Sequence, residues 1–152
     1  MHSFGSRRPR CQGVDLIRAA RTYAAGEAEG AALVLTAPLS FWGGVDVDTG
    51  NVIDRSHPDR GKNVTARILV MPGGRGSSSA SAVLAETIRR GTGPSAIVLS
   101  VPDPILTVGA LVAQSLYGLR CPIVVCAIDG IATGDRLRVQ ALDHVASVVH
   151  IG

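Results

Sequence analysis

The feature that most constrains the fold is an alternation of apolar runs with segments of helical spacing, which begins near residue 65. Runs that are apolar throughout are typical of strands buried on both faces, and such strands pair in parallel through crossover helices. The predicted strands are Ala66–Met71, Ser95–Ser100 and Pro122–Ala127, and the predicted helices between them are Ser79–Arg90 and Pro104–Leu116. Gly91 and Gly118 follow the two helices and favour their termination. The alternation predicts an α/β fold with parallel core strands.

The segments on either side of this core predict further strands. Residues 17–36 hold two apolar runs, near 20–24 and 31–35, and the glycines of Gly26–Gly30 between them indicate a turn. We expect two strands here, although the first run also fits a helix. The last segment, Asp135–Ile151, alternates in polarity and predicts two strands of an antiparallel sheet. The predicted architecture is a β/β/α domain, in which a mixed sheet with parallel core strands and helices faces a second, antiparallel β layer.

Composition and charge exclude several classes of partner. A chain of 152 residues fits one domain, and only 3% of them are aromatic, too few to stack the bases of single-stranded nucleic acid. The formal charge is +3, but three arginines lie within the first ten residues, so the rest is nearly neutral. No apolar run reaches transmembrane length, and no hydrophobic stretch of a secretory signal follows the first arginines. We expect neither nucleic-acid nor membrane partners.

The N-terminus and the cysteines complete the domain-level prediction. Residues 1–13 are polar and basic and contain Gly and Pro, so we expect a flexible arm followed by one domain at 14–152. The spacing of Cys11, Cys121 and Cys126 fits neither a zinc site nor a cluster motif. We therefore expect no metal bound by this chain, and a cytoplasmic protein with reduced thiols.

A long segment rich in Gly, Asp and Pro, residues 38–64, separates the two parts of the chain, with one short strand expected near 51–54. Long ordered loops in small domains are usually functional. His57 could act there as a general acid or substrate contact, although bracing of the loop by hydrogen bonds is the interpretation that composition favours. Trp42 beside two glycines indicates either an exposed partner surface or a buried anchor.

The strongest local signal for chemistry is the Gly-rich turn PGGRGSSSAS between a strand and a helix. Its glycines expose backbone N–H groups, and the helix beginning near Ser78 or Ser79 directs its positive end to the same place, which suits a carboxylate or phosphate. Arg75 could add a bidentate contact, and this positive field would favour Ser77 as a base or nucleophile. The alternative is that Ser78 or Ser79 only caps the helix. Asp103, at a strand end, favours helix capping over a ligand contact.

Four segments in this order resemble the small subunit, or swivel domain, of aconitase X, and the resemblance runs from about residue 16 to the C-terminus. The segments are LSFWGGVD (39–46), IDRSHP (53–58), GRGSSS (74–79) and PDPIL (102–106). The family implies a swivelling β/β/α domain, consistent with the alternation of strands and helices. Its bacterial members resemble cis-3-hydroxy-L-proline dehydratases and its archaeal members mevalonate 5-phosphate dehydratases. The Phe41–Trp42 pair and the three consecutive serines resemble the bacterial type.

The resemblance also implies a mechanism shared between two polypeptides. A large subunit would carry the iron–sulfur cluster and most of the pocket for a small hydroxy acid, and this chain would bind no cofactor. The chain would close over that pocket in a heterodimer or larger assembly, with an interface around Phe41–Val45 and the Ser77 turn, and would be inactive alone. The family's catalytic serine corresponds to Ser77, as the base. The expected substrate contacts are Gly74, Arg75, Gly76, Ser78, Ser79 and His57.

Other classes of function remain open on the residues. The same layered fold serves as a phosphohistidine carrier or as a non-catalytic interaction module in unrelated proteins. The carrier is disfavoured because the Gly-rich turn holds serines and no histidine, whereas an inhibitor or assembly module remains an alternative. A self-contained serine hydrolase would need a histidine and an acid near Ser77, and His57 with Asp54 could supply them.

Overall fold

The computed structural model describes residues 16–151 of the chain, which contain seven strands and two helices. The predicted flexible arm at 1–13 lies outside these residues. In chain order the elements are β1 (Ile17–Ala24), β2 (Gly26–Val34), β3 (Ile68–Met71), α1 (Ser79–Arg90), β4 (Ala96–Leu99), α2 (Pro104–Tyr117), β5 (Ile123–Val125), β6 (Arg136–Ala141) and β7 (Ala146–His150).

The strands close into one barrel in the order β1-β5-β4-β3-β2-β6-β7. Strands β2 to β5 pair in parallel, and β6 and β7 pair antiparallel with each other and with their neighbours β2 and β1. The mixed α/β character is therefore as predicted. The described strands do not form the expected separate antiparallel layer, since all seven belong to one barrel. The reason is that β1 and β2 each change partner halfway along: β2 pairs with β6 over Gly26–Ala31 and with β3 over Ala32–Val34.

Two clusters of buried side chains form the core, one inside the barrel and one between the barrel and the helices. All four residues of β3 and of β4 are buried, because alternate side chains point into these two clusters. This explains why their sequences are apolar throughout. The two helices pack closely at Gly109, where an added Cβ would lie 2.7 Å from the backbone oxygen of Ser81. Neither helix of residues 16–151 has the length and apolarity to cross a bilayer.

Helix α1 ends at Arg90 as predicted, and α2 ends at Tyr117, one residue beyond the predicted Leu116. Gly91 and Gly118 follow α1 and α2 in the left-handed conformation, with φ of 76° and 67°, which glycine adopts without steric cost. The predicted turn at Gly26–Gly30 is wrong, because these residues are the first half of β2. A Cβ at Gly30 would lie 3.1 Å from the backbone oxygen of Ala66, so this glycine allows close packing within a strand.

The segment from 38 to 64 is ordered without regular secondary structure. The short strand expected near 51–54 is absent from this segment, whose residues 51 and 52 form only isolated bridges, Val45 with Val52 and Asn51 with Asn63. The segment is anchored by Phe41, Val45, Val52 and Val64, which are all buried in the cluster under the helices. The loop is therefore part of the core, and its exposed residues are held in fixed positions.

The exposed end of α1 gives a prediction about acid stability. Hydrogen bonds from Arg89 and Arg90 lower the pKa of Glu86 from 4.5 to about 2. Because the folded state favours the charged carboxylate, its stabilising contribution is complete above pH 4.5 and is lost as the pH falls toward 2. We expect Glu86→Gln to flatten the pH dependence of Tm across this window, measured by circular dichroism. Parallel Tm curves for the two proteins would contradict the ion-pair assignment.

Candidate functional site

A small cavity lies at the carboxyl end of β3, where three of the four motif segments meet. The loops after β3 and β4 share this edge because the strands are parallel neighbours. The cavity holds about 70 Å³, well below the roughly 300–1,000 Å³ of a complete small-molecule site. It is therefore too small to hold a typical ligand by itself. Its lining residues are Leu39, Phe41, Gly74, Arg75, Gly76, Ala80, Asp103, Ile105 and Leu106.

The glycines of the turn are required by close packing. A Cβ at Gly74 would lie 1.6 Å from Oδ2 of Asp103, and a Cβ at Gly76 would lie 2.3 Å from Oγ of Ser40. Gly76 also has a φ of 116°, which disfavours other residues, and Gly74 forms a parallel bridge with Leu39. The turn is thus clamped between the 39–46 segment and the start of α2. The contact of Ser40 with the turn was not predictable, because nothing in an irregular loop indicates which of its residues meets the turn.

Ser77 is exposed and lies two residues before Ser79, the first residue of α1. The N-cap position belongs to Ser78, whose side chain forms no capping hydrogen bond, so the structure does not support capping by Ser78. The first backbone bond of this helical turn runs from the Ala80 N–H to the Ser77 oxygen, over 3.0 Å. The N–H groups of residues 77–79 precede this bond and have no partner in the helical ladder. Ser77 therefore lies next to the positive end of α1.

The 53–58 segment lies within electrostatic reach of the same turn. Ser56 donates hydrogen bonds from its hydroxyl and its backbone N–H to Asp54, over 2.7 and 2.9 Å, and these bonds hold the pKa of Asp54 below its ordinary value. The positive charge of Arg75 lowers this pKa further. The positive charge of Arg75, which lines the cavity, thus acts on a residue of the fourth motif segment.

His57 is positioned for bracing the loop. Its side chain is buried, at 7% exposure, and both ring nitrogens have partners. The Asp59 N–H donates to Nδ1 over 3.0 Å, so Nε2 carries the proton and donates to the Ala37 oxygen over 3.1 Å. These contacts agree with the bracing interpretation, while a substrate contact by His57 stays a prediction. They also leave His57 without a free ring nitrogen with which it could activate Ser77 in the serine-hydrolase alternative.

Asp103 combines the expected capping role with a place in the cavity. Its Oδ1 accepts hydrogen bonds from the N–H groups of Ile105 and Leu106, over 2.9 and 3.0 Å, which confirms it as the N-cap of α2. Its Oδ2 lies against Gly74, on the cavity wall. The second role follows from the parallel pairing of β3 and β4, which brings the residues after β4 to the turn after β3.

The expectation of an exposed surface around Phe41–Val45 needs correction. Phe41 and Val45 are buried core residues, since the loop is anchored through them. Trp42 between them is 59% exposed. The structure therefore supports the interpretation in which this tryptophan is exposed. Within residues 41–45, Trp42 alone carries the apolar surface.

The thiols of the described chain do not fit an iron–sulfur cluster. Cys121 is buried in the core, and burial raises its pKa to about 12, so it remains a protonated thiol. Burial also raises the pKa of Cys126. Within residues 16–151 no group of three or more His, Cys, Asp or Glu side chains is arranged to hold a metal ion.

Comparison with known proteins identifies relatives over nearly the whole described chain. The family model of the aconitase X swivel domain matches residues 17–148. The crystal structure of aconitase X from Thermococcus kodakaraensis superposes with a TM-score of 0.81 at 30% identity, covering 90% of this chain and 99% of that one. The fold and the sequence therefore point to the same family.

The matches to two named enzymes cover very different shares of the length of those proteins. The chain is 50% identical to the cis-3-hydroxy-L-proline dehydratase of Pseudomonas aeruginosa over 103 residues, which are 68% of this chain and 18% of that protein. It is 42% identical to the phosphomevalonate dehydratase small subunit of Methanothermobacter thermautotrophicus over 93 residues, 61% of this chain and 71% of that subunit. The match thus spans less than a fifth of the first enzyme but most of the second.

Proposed function

Because the chain belongs to the aconitase X swivel-domain family, we propose that it is the small subunit of a hydro-lyase whose pocket is completed by a large subunit. The observation that carries this proposal is the cavity at the end of β3, where the turn before Ser77 meets the 39–46 and 102–106 segments. At about 70 Å³ the cavity is one wall of a site, as expected for an enzyme that divides its pocket between two polypeptides. The iron–sulfur cluster is expected in the large subunit.

Ser77 is the proposed base of the dehydration. In the alkoxide form its Oγ takes the proton from the carbon next to the substrate carboxylate. The electron pair of the broken C–H bond forms a C=C bond, and the adjacent C–O bond breaks with loss of hydroxide toward the partner's side of the pocket. The exposed position of Ser77 at the α1 N-terminus supports this role, because a positive field stabilises the alkoxide.

The neighbouring groups are proposed to bind the substrate carboxylate. Backbone N–H groups at the start of α1 and the Arg75 guanidinium all favour an anion beside Ser77. Gly74 and Gly76 allow the backbone to approach the substrate, and the hydroxyls of Ser78 and Ser79 are exposed on the same turn. This arrangement would orient the α-proton toward Ser77.

We propose cis-3-hydroxy-L-proline as the substrate, with an enamine that becomes Δ1-pyrroline-2-carboxylate as the product. The support is the 50% identity to the Pseudomonas enzyme over 103 residues. Mevalonate 5-phosphate is the second candidate, because the chain is also 50% identical to the phosphomevalonate dehydratase small subunit of Methanopyrus kandleri, over 86 residues. A non-catalytic interaction module is the alternative of another class. We expect the assembled enzyme in the cytoplasm.

Co-expression with the aconitase X large subunit of the same organism tests the proposal. The purified complex is expected to dehydrate cis-3-hydroxy-L-proline, followed as formation of Δ1-pyrroline-2-carboxylate, and to be much slower with mevalonate 5-phosphate. Each polypeptide assayed alone is the control and should be inactive. Turnover of the phosphorylated substrate alone would assign the second candidate, and a stable complex inactive on both substrates would favour the interaction module.

A further inference from the structure

The outer face of α2 is apolar and uncovered within the described chain. Large exposed side chains recur along it at helical spacing: Val108, Leu111, Val112, Leu116 and, just past its end, Leu119. We call these five residues the α2 stripe. The helix is about 21 Å long at 1.5 Å per residue, and no charged residue occurs from 104 to 119. A stripe of this kind on a surface helix marks an interaction site.

The other faces of the two helices show that the stripe differs from the exposed side of an ordinary surface helix. The opposite face of α2, with Leu106, Ala110 and Ala113, is already buried against the core. The neighbouring helix α1 is amphipathic in the ordinary way, and its exposed end carries Arg89 and Arg90. Only α2 is apolar on both faces, so its outer face is suited to a second protein surface.

The stripe begins near the proposed active-site edge. Asp103, which lines the cavity, caps α2 beside the Gly-rich turn, and Val108 begins the stripe in the second turn of the helix. At the other end, Leu142 and Val145 are exposed and line a groove with Arg120, which directly follows Leu119. The stripe therefore extends from the cavity end of α2 toward this groove, which also carries the charged residues Glu27, Arg120 and Asp143.

We propose that the α2 stripe is a docking surface for the large subunit, an inference that rests on the proposed function. A body that completes the cavity over Asp103 must stand beside the first turn of α2, so the same body can cover the stripe without a break. The matched part of the Pseudomonas enzyme is only 18% of that protein, so the remaining polypeptide is large enough to extend along the helix. A second copy of this chain is the competing occupant, but it has no chemical part in completing the cavity.

The test introduces charge into the stripe without disturbing the fold. The variant is Leu111→Lys with Leu116→Lys, because lysine is a good helix former and both side chains are exposed, at 46% and 67%. Leu16→Lys is the matched control, since Leu16 is 68% exposed and precedes β1, outside the helix layer. The dissociation constant for the aconitase X large subunit is measured by titration calorimetry, and the Tm and sedimentation of each chain alone are recorded.

We expect the double variant to bind the large subunit at least about tenfold more weakly, with its Tm unchanged, while Leu16→Lys binds like the wild type. Unchanged affinity of the double variant overturns the proposal. So does loss of self-association with unchanged affinity, which would assign the stripe to a second copy. If the wild-type chain does not bind the large subunit, both the proposed partner and this proposal are wrong. A wild-type complex that binds normally but is inactive would defeat only the proposed function.

Discussion

Ser77→Ala is expected to lower kcat of the assembled enzyme by about 10²–10⁴-fold, the range for loss of a general base. The variant should fold and assemble normally, because the Ser77 side chain is exposed and lies outside the buried core. The sharper measurement is solvent exchange: in D₂O the wild type should exchange the α-proton of the substrate, whereas the variant should not. Exchange reports proton abstraction separately from loss of the hydroxyl.

The neighbouring serines are the controls for this experiment. Ser78→Ala and Ser79→Ala keep the Ser77 hydroxyl and are expected to change mainly KM, as contacts to the substrate. Full exchange and turnover by Ser77→Ala would rule this serine out as the base. If Ser78→Ala abolished exchange instead, the catalytic role would move by one residue.

Gly74→Ala is expected to destabilise the chain by about 1–3 kcal/mol, as overpacking of a tight contact does. The added Cβ would lie 1.6 Å from Oδ2 of Asp103, so either the turn or the α2 cap must move. Gly74 is not among the residues with positive φ, so the expected loss comes from this clash and not from backbone strain. Denaturant unfolding of the chain alone measures the loss, and kcat of the complex should fall with it, because the same turn carries Ser77.

A second substitution tests the cause of that loss. Asp103→Ser removes Oδ2 but keeps a side-chain oxygen that can cap α2, so alone it should cost little stability. Combined with Gly74→Ala it should recover a large part of the lost stability, giving a coupling energy of roughly 0.5–3 kcal/mol in a double-mutant cycle. Additive effects of the two substitutions would show that the contact between residues 74 and 103 is not what requires glycine.

Elements that depend on local signals were predictable from the sequence. The bounds of α1 at Ser79 and Arg90 agree with the prediction, because serines precede it, arginines end it and Gly91 supplies the left-handed residue. The meeting of the Gly-rich turn with Asp103 was also within reach, since the carboxyl ends of parallel neighbours share one edge of a sheet. Four motif segments in order then sufficed to predict the family, which the match over 17–148 confirms.

Elements that depend on distant partners were not predictable. The glycines of Gly26–Gly30 have the chemistry of a turn, but pairing with β6 holds them in a strand. Closure of the barrel depends on β1, whose first half pairs with β7 and whose second half pairs with β5. No local pattern encodes such a change of partner. The contact of Ser40 with Gly76 is similar, because an irregular loop has no periodicity from which its contacts could be inferred.

The closed ring of strands limits how this domain can join another protein. Each strand in the ring has a neighbour on both sides, although each half of β1 and of β2 is paired on one side only, because these strands change partner. The ring formed by the seven described strands therefore has no full-length free edge onto which a partner could extend the sheet. An association through side chains and loops can slide or separate without breaking a hydrogen-bonded ladder. A domain that moves against a larger body during each turnover would benefit from such a contact.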